Sequence, residues 1–349
     1  MDIRIRPYQK GDEKDLNVML KTIYNKEVND EYWWWKYLNN PLGFHFAYCT
    51  LLEDRVIGFA GGIPYRIQYQ GQEIRGAQLT DLMVDPTVRN KNIFSPIKKA
   101  STADIMKKMD IMYGFTNENS YKIYARTYDV AYKVPRMDKV LNVGVILRDR
   151  IKIRPVADAL GSIGNFGLRI FNVLKSSFTA KGLAIKEINE FDERYDDFWK
   201  NISRHFKIAH IRDHRYLNWR YKQHPLFRYT AYAVQEENNI LGYVVLKDDP
   251  GKIHRGLVME FLAFQDRQDV QNLLLVKTVD HFSKLGADHI TCWMFPHAPY
   301  YKAFRRHLFF PHSGNLIVLT TSYNEQKVSK EYLKDPLNWY VSYGDDDSF

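Results

Sequence analysis

Two stretches of this chain repeat each other at nearly half its length, and that repeat limits the fold more than any other feature. Trp35-Lys-Tyr-Leu-Asn-Asn-Pro-Leu and Trp219-Arg-Tyr-Lys-Gln-His-Pro-Leu stand 184 positions apart (219 − 35), and the register runs on without a gap to Val56-Ile-Gly-Phe59 and Ile240-Leu-Gly-Tyr243. A pattern that returns at this spacing reads as two copies of one domain. The length of 349 residues agrees, because a single hydrophobic core rarely grows that large.

Each copy is expected to be α/β (α+β), with a mixed, mostly antiparallel sheet flanked by helices. Ile3 and Ile5 alternate with Arg4 and Arg6 as in a strand, and Leu16, Met19, Leu20 and Ile23 line one face of a helix. A second helix is expected over 30–38. Its adjacent Trp33, Trp34 and Trp35 cannot share one face, so at least one turns toward other packing, most simply a domain interface. Runs at 44–52, 56–62, 65–69 and 74–84, separated by short polar or glycine turns, read as an antiparallel meander. Ile111-Met-Tyr-Gly-Phe115 follows a helix and should lie parallel to Leu79–Val84. An apolar run at 141–147 reads as the strand that closes the first copy. The expected division is therefore 1–147, a basic and apolar linker at 148–185, and 186–349.

Composition narrows the function classes. The chain is 45% hydrophobic and 15% aromatic, as a packed protein is, and no window looks like a membrane span. The N-terminus enters a strand without a signal-peptide core, so a cytoplasmic location is expected. Cys49 and Cys292 lie in apolar runs and read as buried thiols. Without a Cys-x-x-Cys or His-Glu-x-x-His pattern, no metal is expected. The formal net charge of +9 favours an anionic partner: a nucleotide-like cofactor, tRNA or a membrane surface. Arg150, Lys152, Arg154, Arg169, Lys175 and Lys181 surround an apolar, glycine-interrupted segment at 154–175, for which peripheral membrane contact and packing between domains are the two readings.

Chemistry is concentrated at 79–97. The apolar run Leu79–Val84 ends at Asp85-Pro86, and Ile93, Ile97, Ala100, Ala103 and Met106 then recur at helical spacing. Between them Arg89-Asn-Lys-Asn92 supplies two cations and backbone N–H groups ahead of a helix, a setting that suits phosphate. Val84-Asp-Pro-Thr-Val-Arg-Asn-Lys-Asn-Ile-Phe94 resembles the acyl-CoA motif of the GNAT N-acyltransferases, although Asn92 and Phe94 stand where that motif has glycines. Asn117-x-x-Ser120-x-x-x-Tyr124 is similar to the family's second signature.

The resemblance implies a tandem GNAT protein that moves an acyl group, most simply acetyl, from acetyl-CoA or another acyl-CoA to a small-molecule primary amine. It implies that Met83, Val84, Arg89, Asn90, Lys91, Asn92, Ile93, Phe94 and Asn117 hold the donor. It also implies that Tyr124 protonates the departing thiolate. Asp81 is the candidate base for the ammonium proton. Strand alternation places it on the face of Met83, opposite Val84. In the second copy, at a spacing of 179 (260 − 81), Glu260 replaces Asp81, Gln268 replaces Arg89 and Ala303 replaces Tyr124, so donor binding and the acid are expected only in the first. Two other readings stay open: an aminoacyl-tRNA-dependent transferase of the cell-wall type, and a non-catalytic GNAT-like binding protein. Oligomeric state is not encoded in these patterns.

Overall fold

The computed structural model describes residues 3–91, 93–116, 121, 129–150, 159–168, 170, 182–312, 317–322 and 324–347. The first half carries strands β1 (Ile3–Pro7), β2 (Tyr48–Leu52), β3 (Arg55–Tyr69), β4 (Gln72–Val84), β5 (Ile111–Thr116), β6 (Asp129–Lys133) and β7 (Arg136–Val140). The second carries β8 (Ala184–Glu187), β9 (Ile208–His210), β10 (Tyr229–Glu236), β11 (Asn239–Asp249), β12 (Arg255–Ala263), β13 (His289–Trp293), β14 (Phe310–His312) and β15 (Ile317–Ser322). Helices α1 (Glu13–Tyr24), α2 (Asp30–Trp33) and α3 (Phe94–Lys108) belong to the first half.

Two mixed sheets result, and their orders correspond strand for strand. One runs β1-β2-β3-β4-β5-β15-β6, with β9 added beside β3; the other, read from its opposite end, runs β8-β10-β11-β12-β13-β7-β14. In each, the pair formed across a helical crossover is parallel, β4 with β5 and β12 with β13, and the other pairs are antiparallel. The expected fold class is thus the observed one.

The last strand of each half is exchanged. β15 pairs with β5 and β6, whereas β7 pairs with β13 and β14. The compact units are accordingly discontinuous: Met1–Lys133, Ser203–Phe227 and Asn315–Trp339 make one, and Val134–Ile202, Arg228–Gly314 and Tyr340–Phe349 make the other. Residues 141–147, read above as the closing strand, instead enter the helix Val143–Arg150, and the strand lies just before them. Charges hid it. Met137 and Lys139 are the buried positions of β7, and the Lys139 ammonium donates to the His307 carbonyl at 2.9 Å while burial pushes its pKa down to about 8.

Within the first unit the repeat appears as a pseudo-dyad. Asn29 caps α2 by accepting from the Tyr32 N–H, and Asp213, 184 positions on, caps His214–Leu217 by accepting from the Tyr216 N–H. Both short helices then widen into five-residue π turns, Trp34–Leu38 and Asn218–Lys222, where a continuous α-helix was expected over 30–38. The consecutive aromatic residues point in different directions, as adjacent positions on any helix must. Trp33 lies against Tyr37, the Trp34 indole donates to Glu13 at 2.8 Å, and Trp35 stacks on Trp219 with ring centroids 4.9 Å apart. The last contact is self-complementary: the Trp35 indole donates to the Trp219 carbonyl at 2.7 Å, and the Trp219 indole to the Trp35 carbonyl at 2.9 Å.

The linker reads differently in part. Much of 151–181 lies outside the described residues, but 159–168 is helical and Leu160, Ile163, Phe166 and Ile170 are exposed rather than packed. Among the described residues, no helix is long and apolar enough to cross a membrane, and no group of His, Cys, Asp and Glu could hold a metal ion. Both cysteines are buried and unbridged.

Candidate functional site

β3 was expected as two strands broken at Gly61-Gly62, but it runs unbroken for 15 residues, and Gly61 serves a close approach instead. A Cβ built at Gly61 would stand 2.0 Å from the Tyr37 hydroxyl and 2.6 Å from Thr80 Oγ1. Opposite it, β4 contains a bulge. Phe59 pairs with Met83 and Gly61 with Thr80, so Asp81 and Leu82 together face the single residue Ala60, and Asp81 takes a left-handed φ of 42°. The alternation used above to place Asp81 relative to Met83 and Val84 therefore does not carry through this point. Its side chain and that of its neighbour Thr80 reach the same atom: the Tyr37 hydroxyl donates to Asp81 Oδ2 at 2.7 Å and shares a hydrogen bond of 2.8 Å with Thr80 Oγ1.

A buried cation completes the cluster. Lys36, preceding Tyr37 in the π turn, places its ammonium 2.5 Å from Asp81 Oδ2, with its side chain 1% exposed. It also donates to the Tyr32 hydroxyl at 3.1 Å and lies 5.2 Å from that ring's centroid. Burial, reinforced by the Asp81 charge, holds the Tyr37 phenol well above its ordinary pKa, so Tyr37 remains a hydrogen-bond donor throughout the physiological range. Both bonds to Asp81 fall on Oδ2. Among the described residues Oδ1 accepts none, and the carboxylate keeps 16% of its side-chain surface.

The same strand forms one wall of a gap. β4 and β5 pair only at Gly76 with Ile111, Ala77 with Met112 and Gln78 with Tyr113. Beyond Tyr113, β5 continues beside β15 while β4 continues beside β3, so no described strand covers the other edge of 79–84. Gln78 stands at the closed end of this gap. It is 0% exposed, and among the described residues neither its amide oxygen nor its amide nitrogen has a hydrogen-bond partner.

After Val84 the chain turns through the 3₁₀ segment Pro86–Lys91 into α3. Partial burial opposes the charge on Asp85, yet bonds from the Thr87 N–H and hydroxyl, with Arg55 at 2.5 Å, hold its carboxyl below the usual range. Val88 and Ile93 anchor the turn against Ile57, and Gly58 leaves room for Ile93 Cγ2. Of the expected donor residues, Met83 and Val84 thus lie on the open strand, Ile93 anchors the loop, and the backbone of Arg89, Asn90 and Lys91 lies in the turn, with Phe94 opening α3. Asn92, Asn117 and Tyr124 are outside the described residues.

Sequence reasoning missed Lys36, Tyr37 and Thr80. A signal was present, because at the spacings found above Lys36 corresponds to Arg220 and Asp81 to Glu260, a cation and a carboxylate in both copies.

The second unit repeats the scaffold and closes the gap. β12 and β13 also diverge after a short parallel stretch, at Val258 and Cys292, and β12 also has an extra residue, since Val245 pairs with Glu260 but Leu246 with Val258. Here the strand edge is occupied. The Tyr340 hydroxyl donates to the Phe261 carbonyl at 2.7 Å, and the Tyr300 hydroxyl donates to the Ala263 carbonyl at 2.8 Å while accepting from the Ala263 N–H at 3.2 Å. Val84, the counterpart of Ala263, has no such hydroxyl among the described residues.

Gly61→Ala tests how tightly the cluster is built. The added methyl must displace the Tyr37 hydroxyl, so a loss of about 1–3 kcal/mol is expected, read as a lower denaturation midpoint with an unchanged slope. An unchanged midpoint would mean that Tyr37 is not held where this geometry puts it.

Comparison with known proteins places these features. Residues 4–128 match the model of the acetyltransferase (GNAT) domain. No curated protein matches the sequence. Among solved structures, a probable N-acyltransferase of Enterococcus faecalis superposes with a TM-score of 0.65 at 13% identity, covering 95% of this chain and 75% of its own. A GCN5-related N-acetyltransferase from Kribbella flavida gives 0.60 at 12% identity, with 91% and 70% covered. N-myristoyltransferase of Saccharomyces cerevisiae, solved with bound myristoyl-CoA, gives 0.59 at 13% identity, with 92% and 80% covered. At these identities the three structures establish a shared fold.

Proposed function

The chain contains a GNAT acetyltransferase domain over residues 4–128, and from that premise we propose that the protein is an acyl-CoA-dependent N-acyltransferase whose first half carries the chemistry. The observation that carries this reading is the contrast between the two gaps. Among the described residues nothing bonds the backbone of Val84 on the free edge of β4, although the Tyr24 hydroxyl donates to the nearby Leu82 carbonyl at 3.2 Å, whereas at Ala263 the N–H and carbonyl are both taken by Tyr300. An exposed strand edge offers paired donors and acceptors to an extended ligand. The pantetheine arm of acyl-CoA, itself built of amides, fits beside Met83 and Val84 as an added strand. The turn at 86–94, with Arg89, Asn90, Lys91 and Asn92, then receives the phosphates, and Asn117 adds a polar contact where β5 leaves the gap.

Transfer needs a neutral amine beside the thioester carbonyl. Asp81 Oδ1 takes the ammonium proton, directly or through a water, while Lys36 and Tyr37 hold Oδ2. A backbone N–H released from regular pairing by the bulge faces the tetrahedral oxyanion. As the carbon–sulfur bond breaks, Tyr124 gives its hydroxyl proton to the CoA thiolate. The acceptor is a small molecule with a primary amine, such as an amino sugar, and the donor in its simplest form is acetyl-CoA. The repeated units of sequence are 1–147 and 186–349, joined by the linker at 148–185.

The net charge and the side chains at Asn92 and Phe94 favour one rival, a donor carried on tRNA. Thermal-shift measurements with CoA and acetyl-CoA, run beside a gel shift with bulk tRNA at low and raised salt, separate the two. Stabilisation by CoA, with only weak tRNA retardation that salt abolishes, is the expected result. Retarded tRNA with no stabilisation by CoA would overturn the proposal.

A further inference from the structure

We propose that Gln78 reads the acyl group, and that the preferred donor bears a hydrogen-bonding substituent such as a hydroxyl on its acyl chain rather than a plain alkyl chain. This rests on the acyltransferase reading above and narrows its substrate class. Gln78 forms the last pair between β4 and β5, with Tyr113. Alternation is intact from Gly76 to Thr80, so Gln78 points to the side on which Thr80 meets Tyr37; Ala77 packs on the other side with Ile105 and Met109, and Leu79 packs against that cluster. Thr80, Tyr37 and Asp81 are engaged with one another, and the Gln78 amide has no partner among the described residues although it is 0% exposed.

A buried amide with both ends unpaired is disfavoured, and an apolar residue of similar size would fold better at this position. The amide is therefore matched to something that arrives. A donor laid along Val84 with its thioester carbon beside Asp81 continues, through its acyl chain, toward the closed end of the gap. That end is three residues from Asp81, roughly 10 Å of extended strand. Short acyl chains fall within reach of a glutamine side chain from there. Glutamine presents a donor and an acceptor side by side, and a hydroxyl uses either.

The test compares butyryl-CoA with 3-hydroxybutyryl-CoA on the full chain and on Gln78→Leu, with CoA alone as reference. The wild type is expected to bind the hydroxyacyl donor about three- to tenfold tighter than butyryl-CoA, the ratio that one net hydrogen bond supplies. Gln78→Leu should bind the two equally and, without ligand, melt at a higher temperature than the wild type. Equal binding by the wild type, or a preference that survives in Gln78→Leu, overturns the proposal. A lower melting temperature for ligand-free Gln78→Leu also overturns it, because the amide would then be held by an internal water. If CoA, butyryl-CoA and 3-hydroxybutyryl-CoA all bind without discrimination, only this inference falls. If no CoA species binds, the acyltransferase reading falls with it.

Discussion

Asp81→Asn is expected to destabilise the protein by about 3–5 kcal/mol, because it removes one partner of the buried Lys36–Asp81 ion pair. Lys36 is 1% exposed, so water cannot replace the carboxylate without the π turn opening. The Tyr32 hydroxyl at 3.1 Å and the adjacent rings do not replace the charge of the carboxylate. Urea denaturation at neutral pH measures the loss. A double variant, Lys36→Met with Asp81→Asn, removes both charges and should recover most of it, which a cycle of the four proteins makes quantitative. The double variant also separates stability from chemistry: folded but without acyl transfer, it would support Asp81 as the base. A single Asp81→Asn protein that loses less than about 1 kcal/mol would show that the pair is not the buried one described.

Tyr124→Phe is expected to lower turnover by roughly 10²–10⁴-fold while leaving the melting temperature and CoA affinity nearly unchanged. β5 ends at Thr116, on the side of the gap opposite Val84, and the segment that begins at Asn117 leaves from there. In the proposed reaction the donor's sulfur needs a proton only as the thiolate departs. Removing a hydroxyl while keeping its ring therefore affects the barrier and spares the binding. In the second half, Ala303 stands at the corresponding position and carries no proton to give, so substitution there should not change turnover. Full activity in Tyr124→Phe, measured once an amine acceptor is in hand, would assign the acid elsewhere.

The strand, turn and helix over 79–97 could be read from sequence because they are local. Leu79–Val84, Asp85-Pro86 and the helix after Ile93 announce a strand, a stop and a start within a few residues, and β4, the 3₁₀ turn and α3 follow that order. What went unread was set by partners far along the chain. Asp81 looked like one residue of an alternating strand, and only the pairing of β3 with β4 shows the extra residue that puts it beside Thr80. Lys36 was only one residue of the helix expected over 30–38, yet it is the ion-pair partner of a residue 45 positions away (81 − 36). The run at 141–147 looked more like a strand than Arg136–Val140 did, because propensity cannot register that Lys139 will be buried against a distant carbonyl.

By itself the sequence determined the duplication, the mixed α/β class and the strand–turn–helix unit, since each is written in periodicity, turn residues and a repeat that needs no knowledge of contacts. The tertiary structure alone decided that β7 and β15 change sheets, that Tyr300 takes the backbone of Ala263 while no described residue does so at Val84, and that Gln78 is buried without a partner among the described residues. The physical reason is common to all three. Whether a strand edge or a polar group is satisfied depends on which distant segment reaches it, and hydrogen-bond satisfaction is a property of the folded neighbourhood rather than of any local stretch of chain.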